Sequence, residues 1–137
     1  MKYVIHRIPL YSGKLAIVVT HNVNDLKKVF TEESIQYTDI LENSYLYGHC
    51  LNLSHEGYTA YTILLDFKSA AGPITHGTIS HEALHAVNML FNSRGVNYNL
   101  DDDEHAAYLL GWITDMIYAA LTEWKLLNKI KLDNCNY

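Results

Sequence analysis

THGTISHEALHAVNMLFNS, residues 75–93, is the stretch that decides the fold. Ile79, Ala83, Val87 and Leu90 recur at the 3.6-residue spacing of one helix face. Thr78, His81, Glu82, His85 and Asn88 gather on another face. The spacing predicts a helix from Thr75 to Ser93, closed by Gly95 as a left-handed C-terminal residue.

Upstream of Gly72-Pro73 the apolar period is two instead. Tyr3–Ile8 and Leu15–Thr20, separated by Pro9 and the Ser12-Gly13 turn signal, read as two strands. Gly48–Ser54 and Tyr58–Phe67 flank His55-Glu56-Gly57 and read as a second hairpin. Asn24 or Asp25 is expected to cap a short helix through Phe30 that carries Leu26, Val29 and Phe30 inward. Thr31–Tyr47 reads as loop with a helical turn near Tyr37–Glu42. Downstream, the acidic run Asp101-Asp102-Asp103-Glu104 is expected to open one long helix over Leu100 to about Ile130. Strands first and helices after predict an α+β fold, with a mostly antiparallel sheet from the N-terminal half packed on one face by the two helices.

The 137 residues fit a single domain, 1–137, without repeats or linkers. A net charge of −5 and no run of lysines or arginines exclude a phosphate backbone or an anionic membrane as partner. No stretch reaches the roughly 20 apolar residues that span a bilayer, and the N-terminus lacks the unbroken apolar region of a signal peptide. Two cysteines, Cys50 and Cys135, make no disulfide framework, so the expected compartment is a reducing cytosol. Composition does not give the oligomeric state.

His81-Glu82-Ala83-Leu84-His85 is an HExxH. Residues four apart lie one turn apart on a helix, so both imidazoles reach one ion while Glu82 faces its water without ligating. Zinc is the expected cofactor, bound by His81, His85 and a third protein ligand, with the fourth position open in a catalytic site. At the histidine and glutamate frequencies of this chain, HExxH arises by chance in roughly one such sequence in forty, so its helical context decides. The plain alternative is a solvated polar face that carries two histidines, but such faces usually hold lysines and this one holds none.

Glu104, separated from His85 by 18 intervening residues, is the candidate third ligand. Asp103 and His105 are its neighbours for that role, and Asp101 with Glu104 also has the spacing of a capping box. Tyr108, one turn after Glu104, is a candidate catalytic residue that stabilises a tetrahedral oxyanion; a buried aromatic with a surface hydroxyl fits it equally. Gly111 is expected to permit close helix contact. Asp115, about 16 Å further along the axis than Glu104, is too far to orient a ligand histidine.

HEALH followed by Glu104-His105-Ala106-Ala107-Tyr108-Leu109-Leu110-Gly111 resembles the gluzincin arrangement, an HExxH followed by a glutamate ligand on a later helix. It is similar to small HExxH proteins of bacteriophage and prophage genomes, over roughly residues 77–112. The resemblance implies a zincin-like fold whose sheet edge holds an extended peptide beside the metal. It also implies a metallopeptidase, acting in the host cytoplasm if phage-encoded. Gly48-His49-Cys50-Leu51 upstream of an HExxH resembles peptide deformylases more distantly, since Leu84 stands where they carry aspartate and their glycine-rich first motif is absent. The expectation is zinc-dependent hydrolysis of a protein or peptide, with Glu82 as general base and then acid. The alternative is a non-catalytic module of the same fold that binds a host or phage protein.

Overall fold

The computed structural model describes residues 1–36, 38 and 47–132. The helical turn expected near Tyr37–Glu42 and the second cysteine, Cys135, lie outside them, save for Thr38. Strands β1 (Lys2–Arg7) and β2 (Lys14–Val19) form the first hairpin, then come a 3-10 turn (Val23–Lys28) and the short helix α1 (Glu32–Gln36). Strands β3 (Gly48–His55) and β4 (Tyr58–Leu65) form the second hairpin, and helices α2 (His76–Ser93) and α3 (Glu104–Glu123) follow. A last 3-10 turn covers Leu127–Lys129. No helix among the described residues is long and apolar enough to cross a membrane.

The sheet order is β1-β2-β4-β3, antiparallel within each hairpin but parallel where β2 meets β4, with Leu15 opposite Tyr61 and Val19 opposite Leu65. The sheet is thus mixed, and it is covered on both faces rather than one. Leu15, Ile17, Ile63 and Leu65 pack under α2 and α3 with Ile79, Val87, Leu90, Leu109, Ile113 and Ile117. Ala16, Val18, Ala60 and Leu64 face the other way, against Leu26, Phe30 and Ile35. This explains why LAIVV and YTILL are nearly unbroken apolar runs: a central strand buried on both faces has no solvent side to mark with polar residues.

Local chemistry sets the element ends. Glu56 and Gly57 both have positive φ (50° and 78°), the two-residue turn that matches the twist of a hairpin. The first 3-10 turn is capped by Asn22, whose side chain accepts from the Asn24 amide. Asp25 is engaged instead with the Thr20 hydroxyl and the Lys28 ammonium, at 3.0 and 2.6 Å. Leu26 and Phe30 point inward as expected.

Both long helices end in the same way. In α2, Gly95 takes the left-handed conformation and the Val96 amide reaches back to the Phe91 carbonyl at 2.9 Å. In α3 the left-handed residue is Lys125 (φ 58°), with the Leu126 amide bonded to the Leu121 carbonyl at 2.9 Å and both leucines buried in the same core. Hence the C-terminal helix stops at Glu123 and does not run on to Ile130. A left-handed lysine costs about 1 kcal/mol that glycine avoids. Lys125→Gly is therefore expected to raise the thermal midpoint, and an unchanged or lower midpoint would refute this account of the helix end.

The start of α3 also differs from the sequence expectation. The Asn99 side chain accepts the Asp101 amide at 3.0 Å, so 99–102 is held in a turn and the helix opens only at Glu104. Gly111 lies exposed on α3, where an added Cβ would meet nothing within 4 Å, so it serves no close helix contact.

Candidate metal centre

The site is assembled where α2 crosses the outer strand of the sheet. Thr75 caps α2 through a reciprocal pair: its hydroxyl accepts the Thr78 amide at 2.9 Å, and the Thr78 hydroxyl accepts the Thr75 amide at 3.1 Å. This fixes the helix register just before His81. Gly48 opens β3 and lies directly against the same turn. A Cβ at Gly48 would sit 2.6 Å from Thr78 Cγ2 and 3.6 Å from Glu82 Oε1. Only glycine lets the strand approach Thr78 so closely. Gly48→Ala is expected to cost about 1–3 kcal/mol through overpacking, whereas Gly111→Ala, unobstructed in a helix, should stabilise by up to about 1 kcal/mol. Denaturant midpoints that shift alike in the two variants would contradict this contact.

His81 and His85 turn their rings edge to face, with centroids 4.6 Å apart and the two Nε2 atoms at 3.0 Å. At zinc–imidazole bond lengths of about 2.0–2.1 Å, nitrogens 3.0 Å apart subtend roughly 95° at a shared ion, a small rotamer adjustment away from tetrahedral. Both rings are exposed. Glu82 is only 6% exposed and is the one buried charged side chain among the described residues. Its Oε1 lies 4.0 Å from His81 Nε2. Glu82 lines the groove beside the two imidazole nitrogens, so its negative charge faces the place where a cation would bind.

Comparison with protein families, with characterised proteins and with solved structures finds no match. The functional reading therefore rests on the geometry of this site.

The surrounding groove is about 800 Å³ in volume. Gly48, His49 and Cys50 of β3 line one side, Thr78, His81, Glu82, His85 and Met89 of α2 the other, with Gly72-Pro73 at one end. The pleat of β3 turns Cys50 toward α2 and Leu51 and Leu53 toward the opposite core, so alternation gives the His49 side chain the face away from α2. Cys50 is buried with its sulfur 3.7 Å from Met89 Sδ. Burial first, and the negative charge of Glu82 second, push its thiol up to about 12.

The structure does not bring the third expected ligand to the pair. Among the described residues no third His, Cys, Asp or Glu converges with His81 and His85. Glu104, Asp103 and His105 are exposed at the start of α3, outside the groove, and Tyr108 is 59% exposed there. The capping-box alternative for Glu104 is not built either: Asp103 is the N-cap residue and makes no side-chain cap bond. The connection leading to Glu104 is tied to α2 one turn beyond His85, where the Tyr98 hydroxyl donates to Asn88 Oδ1 at 2.6 Å. Sequence reasoning missed Gly48 and Met89 as parts of the site. A glycine at the first residue of a strand is the signal that would have found Gly48.

Proposed function

We propose that the chain is a zinc-dependent peptidase of the small gluzincin type, with a zincin-like fold, acting in the cytosol. The observation that carries this reading is the convergence of His81 and His85 Nε2 beside the buried Glu82 carboxylate in an open groove. His81 and His85 would hold the ion. Glu104 would be the third ligand, and Tyr108 would donate to the oxyanion. Both roles need the first two turns of α3 to face the groove, so they are proposed together. Support for Glu104 comes from its carboxylate, which has no hydrogen bond or ion pair among the described residues, and from the Tyr98–Asn88 bond beside His85.

A bound zinc ion would supply Lewis-acid polarisation and a water whose pKa falls to about 7. Glu82 would be the base that takes the proton of an attacking water and the acid that gives it to the leaving amine. Glu82 lines the groove, with its stem packed beside Gly48. The groove runs beside β3, the end strand of the sheet, which supports a protein or peptide substrate bound in extended form.

Glu104→Ala is expected to weaken zinc binding about 10- to 100-fold or more, while Asp101→Ala leaves it unchanged. Competition against a chromophoric chelator reads both, and equal affinities in the two variants would remove Glu104 from the ligand set. The second reading is a non-catalytic module of the same fold that binds a protein partner. The lack of a third converging ligand among the described residues favours it. A deformylase-like amidase, with Cys50 as ligand, ranks below both because that sulfur is turned to Met89.

A further inference from the structure

A second cleft, about 590 Å³, lies at the far end of the sheet between the two hairpin turns. That is within the range of about 300–1,000 Å³ that holds small molecules. Its lining includes Arg7, Lys14, His55, Glu56 and Tyr58, together with His6. Arg7 and Lys14 are directly opposed in the β1–β2 register, so their side chains leave the same face of the sheet. Like charges directly opposite each other destabilise a hairpin, and the fold offsets only one of them. The Lys14 side chain is 14% exposed, and its ammonium is bonded to His55 Nδ1 at 2.9 Å and Glu56 Oε2 at 3.1 Å and lies 4.9 Å from the centre of the Tyr58 ring. Arg7 is exposed and makes no hydrogen bond or ion pair among the described residues.

The fixed charge of this cleft is positive, two cations against one carboxylate, in a chain whose net charge is −5. The turn between β1 and β2 is also pinned: the Arg94 guanidinium bonds both the carbonyl and the hydroxyl of Ser12. We propose that this cleft binds a small phosphorylated molecule, with the Arg7 guanidinium and the Lys14 ammonium on its phosphate and the rest of the molecule along the Tyr58 and His55 walls. A planar guanidinium matches two phosphate oxygens at once, and an ammonium beside it adds a second charge-assisted bond. Glu56 is the built-in competitor for Lys14.

The test uses metal-free full-length protein, so its answer is independent of the centre at His81 and His85. Amide NMR spectra are followed while inorganic phosphate, and separately phenyl phosphate, is added at constant ionic strength. Saturable shifts confined to residues 5–14 and 55–58 are expected, with phenyl phosphate binding the tighter of the two. Arg7→Gln should weaken both by about tenfold. Glu56→Gln, which removes the competing carboxylate, should tighten both several-fold. A structural role alone would not produce that gain. Unsaturable shifts spread over the surface, or affinities that Arg7→Gln leaves unchanged, would overturn the site. Equal affinity for the two probes would overturn the small-molecule part of the proposal.

Discussion

Dialysed against a large excess of zinc-free buffer after loading, the protein is expected to retain about one zinc ion per chain, and His81→Ala or His85→Ala to retain almost none. The argument is chelation on a preformed helix face. The two Nε2 atoms already stand 3.0 Å apart, so binding an ion reorganises little. Removing either imidazole leaves one histidine nitrogen and the proposed Glu104 carboxylate, too few donors to hold the ion through dialysis. Because imidazole binds metal only in its neutral form, the retained zinc should fall as the pH is lowered into the acid range and return when it is raised. Both substitutions are at exposed positions, so the fold should survive them and circular dichroism should not change. Stoichiometric zinc in the His85→Ala variant would remove these residues from the centre.

Glu82→Gln should keep the metal and the fold yet lose about 10²- to 10⁴-fold in hydrolytic rate, the usual contribution of a positioned general base. Glutamine matches the shape of glutamate and fills the same space against Gly48 and Thr78, but it can neither take a proton nor return one. Its buried amide also removes the negative charge beside His81, so zinc binding should weaken only modestly. Incubating the parent and the variant with a cell extract, then comparing newly formed peptide termini by mass spectrometry, reads this directly. Termini that depend on zinc and appear only with the parent support the peptidase. Identical profiles, with undiminished partner capture by the variant, would favour the binding module.

Much of the fold was legible where short-range chemistry decides it. The ends of α2 follow from Thr75 with Thr78 and from Gly95, and the second hairpin follows from Glu56-Gly57 between alternating strands. The parallel contact of β2 with β4 was not legible, because nothing local in Leu15–Val19 or Tyr61–Leu65 says which strand lies alongside. Their unbroken apolar runs did carry a sign of two-sided burial, and the second face is closed by Leu26, Phe30 and Ile35 from segments that read only as a short helix and loop. The limits of α3 were misread for two separate reasons. Asn99 captures the Asp101 amide before the helix can begin, and Lys125 takes a left-handed conformation for which a lysine gives no warning. At the site, the His81–Glu82–His85 constellation was legible because its geometry lies within one helix. The placement of Glu104 was not, since it depends on how the first turns of α3 sit against α2, and that is set by contacts such as Tyr98–Asn88 across the chain.

X-ray absorption at the zinc K-edge of the loaded protein tests the centre most directly. The account predicts two imidazole nitrogens and oxygen donors at about 2.0–2.1 Å in a four-coordinate shell. A sulfur scatterer at about 2.3 Å would bring Cys50 into the centre, and a spectrum without imidazole scattering would contradict the assignment of His81 and His85 altogether.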